Sequence, residues 1–387
     1  MTQSAAANSI LYLVTEDWYF WSHRRNLALA AKKAGYHVIV ATREGDFAER
    51  IRAQGFELVP VRMRRRGLGL ISELAAISDL VQIYRRLRPC IVHHIAMKPV
   101  VYGAIAARIA GVEHVVSTVA GLGYLYVSGG FKAGWMRFAV QRVLGLFLNR
   151  DGQAVIVQNP DDQEQLARSG VLDADRMVLI RGSGVDTSAY KPRAEPAGIP
   201  TIVLASRMLW SKGVGEFVEA ARRMSKMDIP VRFVLAGRVD PDNPDAVPPD
   251  RLEEWHRAGI VEWRGWIEDI RVILAQAHIV CLPSMYGEGV PKVLIEAAAC
   301  EIAIVTTDTP GCREIVRDGF NGTLIPVRDP KALVDSFRVL FDDPELRSRY
   351  GRNGRQLVKE EFGLEAVNEA TLAVYERLMS EGSPERC

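Results

Sequence analysis

The chain has 387 residues, 48% of them hydrophobic and 25% charged, which is ordinary for a soluble globular protein and long enough for two domains. No apolar run reaches the roughly 18 residues of a membrane-spanning helix, and Met1 to Asn8 lack the charged-then-apolar pattern of a secretory signal. Cysteines 90, 281, 300, 312 and 387 are scattered without a CxxC pair; this fits reduced cytosol and argues against a disulfide framework or a zinc site. Net charge is +2, yet residues 1–190 carry 23 Lys/Arg against 16 Asp/Glu, or +7, and the remainder carries 26 against 31, or −5. A basic half beside an acidic half predicts that the first meets something anionic: nucleic acid, a phospholipid surface or a diphosphate-bearing lipid.

In chain order, the first half alternates strand and helix. Expected strands are Ile10–Thr15, His37–Thr42, Glu57–Val61, Cys90–Ile95, His114–Val119 and Ala154–Gln158, with helices over Ser22–Ala34, Leu70–Leu87 and Val100–Ala110. That pattern predicts a parallel sheet covered on both faces, with ligands at the carboxyl ends of its strands. The first β-α loop lacks the GxGxxG of a dinucleotide fold and instead reads Thr15-Glu16-Asp17-Trp18-Tyr19-Phe20-Trp21-Ser22. Its four aromatics either line a ligand pocket or pack against the second domain. Ser22 is the expected N-cap, which puts His23 and Arg24 at a helix amino end, where an anion would meet them. Arg62, Arg64, Arg65 and Arg66 are either solvated or face anionic headgroups; Phe131–Asn149, apolar with interspersed cations, is either a core helix or an interfacial one. His93 and His94 point to opposite sides of their strand, so that one can face a cleft and the other the core. Gly121 and Gly123, after the fifth strand, allow a ligand close to the backbone.

Lys191–Pro200 reads as a linker. A second β-α series follows, with strands at Thr201–Ser206, Val231–Gly237, Val261–Trp263, His278–Pro283, Ala303–Thr307 and Thr323–Pro326. The expected architecture is therefore α/β, with two Rossmann-like domains whose parallel sheets face a cleft. Arg207 and Lys212-Gly213 follow the first strand of this series, where a fork and a point charge suit a diphosphate. Gly237 ends the next strand and has room for a nucleotide, and the Gly265-Trp266 backbone is placed to read a base. Asp240-Pro241-Asp242 looks like a metal-binding DxD, but it lies in a Pro-rich loop and is set aside. Glu288-Gly289-Val290-Pro291-Lys292 opens a helix running through Cys300, with Pro291 at its first position; amides near Gly289 to Val293 then form an anion site. Glu296, about a turn and a half in, suits a ribose diol, and Glu288 suits sugar hydroxyls. Gly311, in the loop Asp308–Arg313, approaches the same place; Arg313 either helps there or pairs with Asp308 or Glu314.

The set Arg207…Lys212-Gly213, Gly237, Glu288-x7-Glu296 and Gly311-Cys312-Arg313-Glu314 resembles the retaining glycosyltransferases of family 4, which have the GT-B fold. The resemblance covers nearly the whole chain and is most specific over 201–327. Ala205–Val214 and Gly121–Tyr124 are similar to a bacterial branch that adds an N-acetylhexosamine, such as N-acetylgalactosamine, to a sugar carried on a polyprenyl diphosphate. Two departures stand out. Many members carry two glycines in the first loop, and many have a histidine near the transferred sugar where this chain has Ala120.

The resemblance implies an acceptor-binding domain over 1–190, a nucleotide-sugar domain over 200–364, and a helix over 365–387 that crosses back to the first. It implies transfer of a hexose or N-acetylhexosamine from a UDP-sugar to a polyprenyl-diphosphate-linked sugar, with retention of configuration, in surface glycan or glycoprotein oligosaccharide assembly. Arg207, Lys212 and Glu288 are then the catalytic candidates. Gly237, Gly289, Val290, Pro291, Lys292, Glu296 and Gly311 bind the donor; His23, Arg24, His94, Gly121 and Gly123 bind the acceptor. Arg207, Lys212 and the helix amino end would do a metal's work, so no metal or other cofactor is expected. Expected partners are the two substrates and an anionic membrane, held peripherally on the cytoplasmic face, and no nucleic acid. A GT-B sugar-nucleotide epimerase shares the fold and donor site without needing an acceptor surface. A non-catalytic binding module is the other alternative, whereas the missing GxGxxG disfavours a dehydrogenase.

Overall fold

A computed structural model describes residues 8–63, 69–122, 140–142 and 144–381. The chain divides into two compact units, Met1–Ser183 with Glu365–Cys387, and Gly184–Leu364. The division precedes the expected boundary at 190 because Val185 pairs with Gly363 and donates to the Phe362 carbonyl, which fastens the 184–199 segment to the second unit.

In the first unit, strands β1 (Ser9–Glu16), β2 (His37–Arg43), β3 (Glu57–Pro60), β4 (Ile91–Ile95), β5 (His114–Val119), β6 (Gln153–Val157) and β7 (Met177–Leu179) form one sheet in the order β3-β2-β1-β4-β5-β6-β7. Every pairing is parallel. Helices α1 (Asp17–His23), α2 (Arg25–Lys33), α3 (Ala48–Ala53), α4 (Leu70–Leu87), α5 (Met97–Ala110) and α6 (Pro160–Arg168) connect the strands. Alternation along β1 sends Leu11 and Leu13 to a core shared with α4 and α5. Ile10, Tyr12 and Val14 enter the opposite core, with α1 and α2. Both faces are covered, which explains the near-continuous apolar strands.

In the second unit, β8 (Thr201–Ala205), β9 (Arg232–Ala236), β10 (Glu262–Trp263), β11 (Ile279–Leu282), β12 (Ala303–Thr307) and β13 (Gly322–Ile325) are again all parallel, in the order β10-β9-β8-β11-β12-β13. Here the helices are α7 (Val214–Ser225), α8 (Pro249–Arg257), α9 (Ile270–Leu274), α10 (Lys292–Ala299), α11 (Cys312–Ile315), α12 (Pro330–Asp342) and α13 (Pro344–Glu361). Phe217 of α7 and Phe337 of α12 pack their edges on Phe233 of β9 in one core; each is worth roughly 1.5–3 kcal/mol removed from water. Helices α10 and α13 close the other face. The last helix, α14 (Leu364–Glu381), packs Val367, Val374, Tyr375 and Leu378 into the core of the first unit.

In both units strand order reverses beside the first strand, between β1 and β4 and between β8 and β11. Ligands of open parallel sheets sit beyond the carboxyl ends of the strands at such a point.

Candidate functional site

In the second unit the reversal point is where the predicted residues gather. Arg207 leaves β8, and its Nη1 donates to Asp240 Oδ2 at 2.8 Å. Asp240, from the tripeptide set aside as a metal motif, is thus a partner of this arginine. The turn Trp210–Lys212 is pinned to the same loop: the Trp210 amide donates to the Asp245 carbonyl at 2.9 Å, and the Ser211 amide to Asp245 Oδ2 at 3.0 Å. Lys212, mostly buried, is salt-bridged to Glu288, whose other oxygen accepts from Ser284 Oγ at 2.5 Å. The Ser284 carbonyl accepts from Thr307 Oγ1 at 2.5 Å, and the Glu288 amide donates to the Pro310 carbonyl at 3.1 Å. Loops after β8, β11 and β12 are therefore laced together around one Lys–Glu pair.

Helix α10 opens at Lys292, one residue later than expected, because Pro291 has extended ψ and its carbonyl takes the first helical bond. No side chain caps this end, so its first amides present their partial positive charge outward, beside Gly289 and Val290. Glu296 is buried on α10. Its Oε1 accepts from Tyr190 at 2.7 Å and pairs with Lys292 Nζ at 3.0 Å. Burial and then the Glu296 charge push the Tyr190 phenol up, so it stays a hydrogen-bond donor.

Two glycines serve the backbone. A Cβ on Gly311 (φ +83°) would lie 2.0 Å from the Gly289 carbonyl oxygen, so glycine lets this loop close on the 288–289 turn. On Gly237 (φ +149°) it would lie 1.7 Å from the Ser206 oxygen. Among the described residues, the close approach that Gly237 permits is to the Ser206 carbonyl. Arg313 pairs with Asp308, Nε to Oδ1 at 2.8 Å, as one of its two sequence readings had it.

The first unit corrects several expectations. Its first helix starts at Asp17 rather than after Ser22, because the Asp17 carboxylate takes the Gly45 and Phe47 amides at 2.8 and 2.9 Å and folds the loop into a helix at once. His23 is therefore at the carboxyl end of α1, stacked on Tyr19 with ring centroids 4.4 Å apart. Arg24 breaks the helix between α1 and α2 and is only 5% exposed; its Nε and Nη2 have no hydrogen-bond partner among the described residues. His94 is a core residue, not an acceptor ligand: it is fully buried against Tyr84, and Gly103 makes room for its ring. Burial pushes its pKa down to about 3, so it is neutral. His93 is buried as well, between Tyr375 at 2.6 Å and Thr118 at 2.7 Å, because helices cover both faces of the sheet. Gly121 has a φ of +90°, and the next amide, Leu122, donates to the buried Asp162 carboxylate at 3.3 Å. Gly123, Arg64, Arg65, Arg66 and most of 131–149 lie outside the described residues.

Among the described residues no three His, Cys, Asp or Glu side chains group as metal ligands. Burial pushes the Cys300 and Cys312 thiols up to about 11, which suits unreactive, protonated groups. Sequence reasoning missed Tyr190 and Ser284, the residues that hold Glu296 and Glu288, and it weighed Asp240 only as a metal ligand, not as the partner of Arg207. Tyr190 and Ser284 carry no motif, and all three are brought to their partners by the fold.

Two doubly wound parallel sheets, one with cations and an open helix end at its reversal point, define an α/β protein of the GT-B class. The chain belongs to the GT-B glycosyltransferases: residues 9–159 match the family described as glycosyl transferase 4-like, and residues 188–357 match glycosyl transferases group 1. It is 26% identical over 369 residues to the N,N'-diacetylbacillosaminyl-diphospho-undecaprenol alpha-1,3-N-acetylgalactosaminyltransferase of Campylobacter jejuni, covering 92% of this chain and 95% of that one. Its fold is similar to that of sucrose-phosphate synthase from Thermosynechococcus elongatus (TM-score 0.80, 21% identity, 97% and 100% of the two chains). It is also similar to HepE from Anabaena, solved with UDP and glucose (TM-score 0.75, 20% identity, 95% and 99%).

Proposed function

We propose that this glycosyltransferase is a retaining, family 4 enzyme that moves a hexose or N-acetylhexosamine from a UDP-sugar to a polyprenyl-diphosphate-linked sugar. The observation that carries the donor half is the gathering of Arg207, Lys212, Glu288 and the open end of α10 at one reversal point. Breaking the anomeric bond leaves growing negative charge on a diphosphate. Fixed positive charge there stabilises the transition state more than the ground state, without a metal. In this reading the α10 amides at Gly289 to Lys292 hold phosphate, Glu296 the ribose, and Glu288, held by Lys212 and Ser284, the donor sugar. The acceptor attacks from the face the diphosphate leaves, and the diphosphate takes its proton. HepE's UDP supports a uridine donor, and the name of the Campylobacter relative supports the lipid-linked acceptor.

In the first unit we assign the acceptor's anionic group to Arg24, with His23 and Gly121 nearby in sequence or at the same sheet end. A buried guanidinium whose Nε and Nη2 have no partner among the described residues is costly and calls for an anion. The work would be done peripherally on the cytoplasmic face of a membrane. The test is a screen of UDP-sugars against lipid-diphosphate-sugar acceptors, with products read by mass spectrometry. A new glycosylated lipid is the expected result; UDP release that does not depend on any acceptor would point away from a transferase of this kind.

A further inference from the structure

Tyr190 belongs to no motif, yet it is held in register with α10 at several points. Its amide donates to the Asp186 carbonyl at 3.0 Å. Its carbonyl accepts from Arg355 Nη1 at 2.8 Å, and Arg355 also bonds the carbonyls of Thr187 and of Ala299, the last residue of α10. Arg271 lies over the Tyr190 ring, 6.0 Å from its centroid. The segment 187–190 is thus clamped to the helix that carries Glu296, and the phenol reaches Glu296 Oε1 at 2.7 Å. Lys292, one turn back on α10, meets the same oxygen. Both partners therefore sit on Oε1, and Oε2 is the oxygen left to accept from a ligand.

We propose that Tyr190 is a positioning residue for the nucleotide: its hydroxyl fixes the Glu296 carboxylate so that Oε2 meets the ribose hydroxyls in one orientation. The inference rests on the donor site proposed above. A glutamate on a helix samples several rotamers, and a ligand that selects one bears the entropic cost. The phenol bears that cost in advance. Because nucleotide is held alike before and during bond breaking, the contribution falls on affinity and not on turnover.

The experiment is titration calorimetry with UDP and with its dideoxyribose counterpart, together with steady-state kinetics, on wild type, Tyr190→Phe and Glu296→Ala. Loss of the advance ordering of one glutamate side chain should raise Kd for UDP and KM for the UDP-sugar about five- to tenfold in Tyr190→Phe. kcat should stay within about twofold, the melting temperature should not move, and the penalty should vanish with the dideoxyribose nucleotide. If Glu296→Ala weakens UDP but Tyr190→Phe does not, the positioning role is overturned while the donor site stands. An equal penalty with both nucleotides, or a fall in kcat at constant KM, overturns it as well. If wild type does not bind UDP, or Glu296→Ala leaves its affinity unchanged, the donor reading itself fails and takes the inference with it.

Discussion

At the scale of single residues, the cations near the reversal points divide into those paired within the protein and one that is buried without such a pair among the described residues. Arg207 and Lys212 are each ion-paired within the protein, to Asp240 and Glu288. Their pairs pre-orient them, so Arg207→Ala or Lys212→Ala should lower kcat about 100- to 1000-fold, the usual scale for one contact to developing negative charge. Steady-state kinetics with saturating donor checks this, and near-normal turnover would remove both from the site. Arg24 is the opposite case, buried with Nε and Nη2 unpartnered among the described residues. Arg24→Met keeps the volume and removes the charge, so the melting temperature should hold or rise while transfer falls roughly ten- to hundredfold, the scale of charge-assisted hydrogen bonds. A variant that melts lower and still transfers normally would make Arg24 a structural residue. The sequence singled out Arg207, Lys212 and Glu296 because their types and spacing suit a nucleotide diphosphate. It misled at His94, because alternation tells which side of a strand a residue takes but not what covers that side. Tyr84 and Gly103 supply the answer, and both are on helices.

At the scale of elements, most strands were legible because buried parallel strands are continuous apolar runs. Strand β7 was missed, being three residues long and paired only with β6. Helix α1 was misplaced because what starts it is a long-range contact, Asp17 with the Gly45 and Phe47 amides, which no local capping pattern announces. The loop at Gly121–Leu122 depends on a comparable contact, from α6. Asp162 accepts from the Leu122 amide and from Asn159 Nδ2 at 2.8 Å, and burial pushes its pKa up to about 6. The folded protein thus holds this proton more tightly than the unfolded chain does. The stability due to the raised pKa is complete below the ordinary carboxylate range and is lost as pH rises through about 6. Asp162→Asn cannot titrate. The unfolding free energy of wild type minus that of the variant, from urea denaturation, should therefore fall by roughly 2 kcal/mol between pH 4 and pH 7. A flat or rising difference would show that the Leu122 and Asn159 bonds, which favour the charged form, outweigh burial.

At the scale of the whole molecule, the charge division predicts where the protein works. Among the described residues no helix is long and apolar enough to cross a membrane. The lipid-linked acceptor proposed above would be met at a membrane surface. The first unit carries the excess of positive charge. Arg62 is 90% exposed at the start of the Arg62–Arg66 run and, among the described residues, makes a loose 3.8 Å contact to Asp79. Shortly after it, Ile71 and Leu74 on α4 are 86% and 61% exposed, three positions apart and so on one helix face. That apolar pair was not marked by the sequence, where the helix reads as ordinary. The other candidate from the sequence, Phe131–Asn149, is described only near its end, where Leu144 and Leu148 are core residues and Leu146 faces outward. Each Arg near an anionic surface contributes about 1 kcal/mol, and an inserted aliphatic side chain adds to that. Replacing Arg62, Arg64, Arg65 and Arg66 with glutamate should abolish binding to anionic liposomes at low salt; Ile71→Ser with Leu74→Ser should weaken it with less dependence on salt. Both variants should slow transfer to a long-chain lipid acceptor while using a short-chain soluble acceptor almost as wild type does. Equal losses on the two acceptors, or a wild type that ignores anionic liposomes, would turn the basic face over to another partner, such as a second copy of the chain.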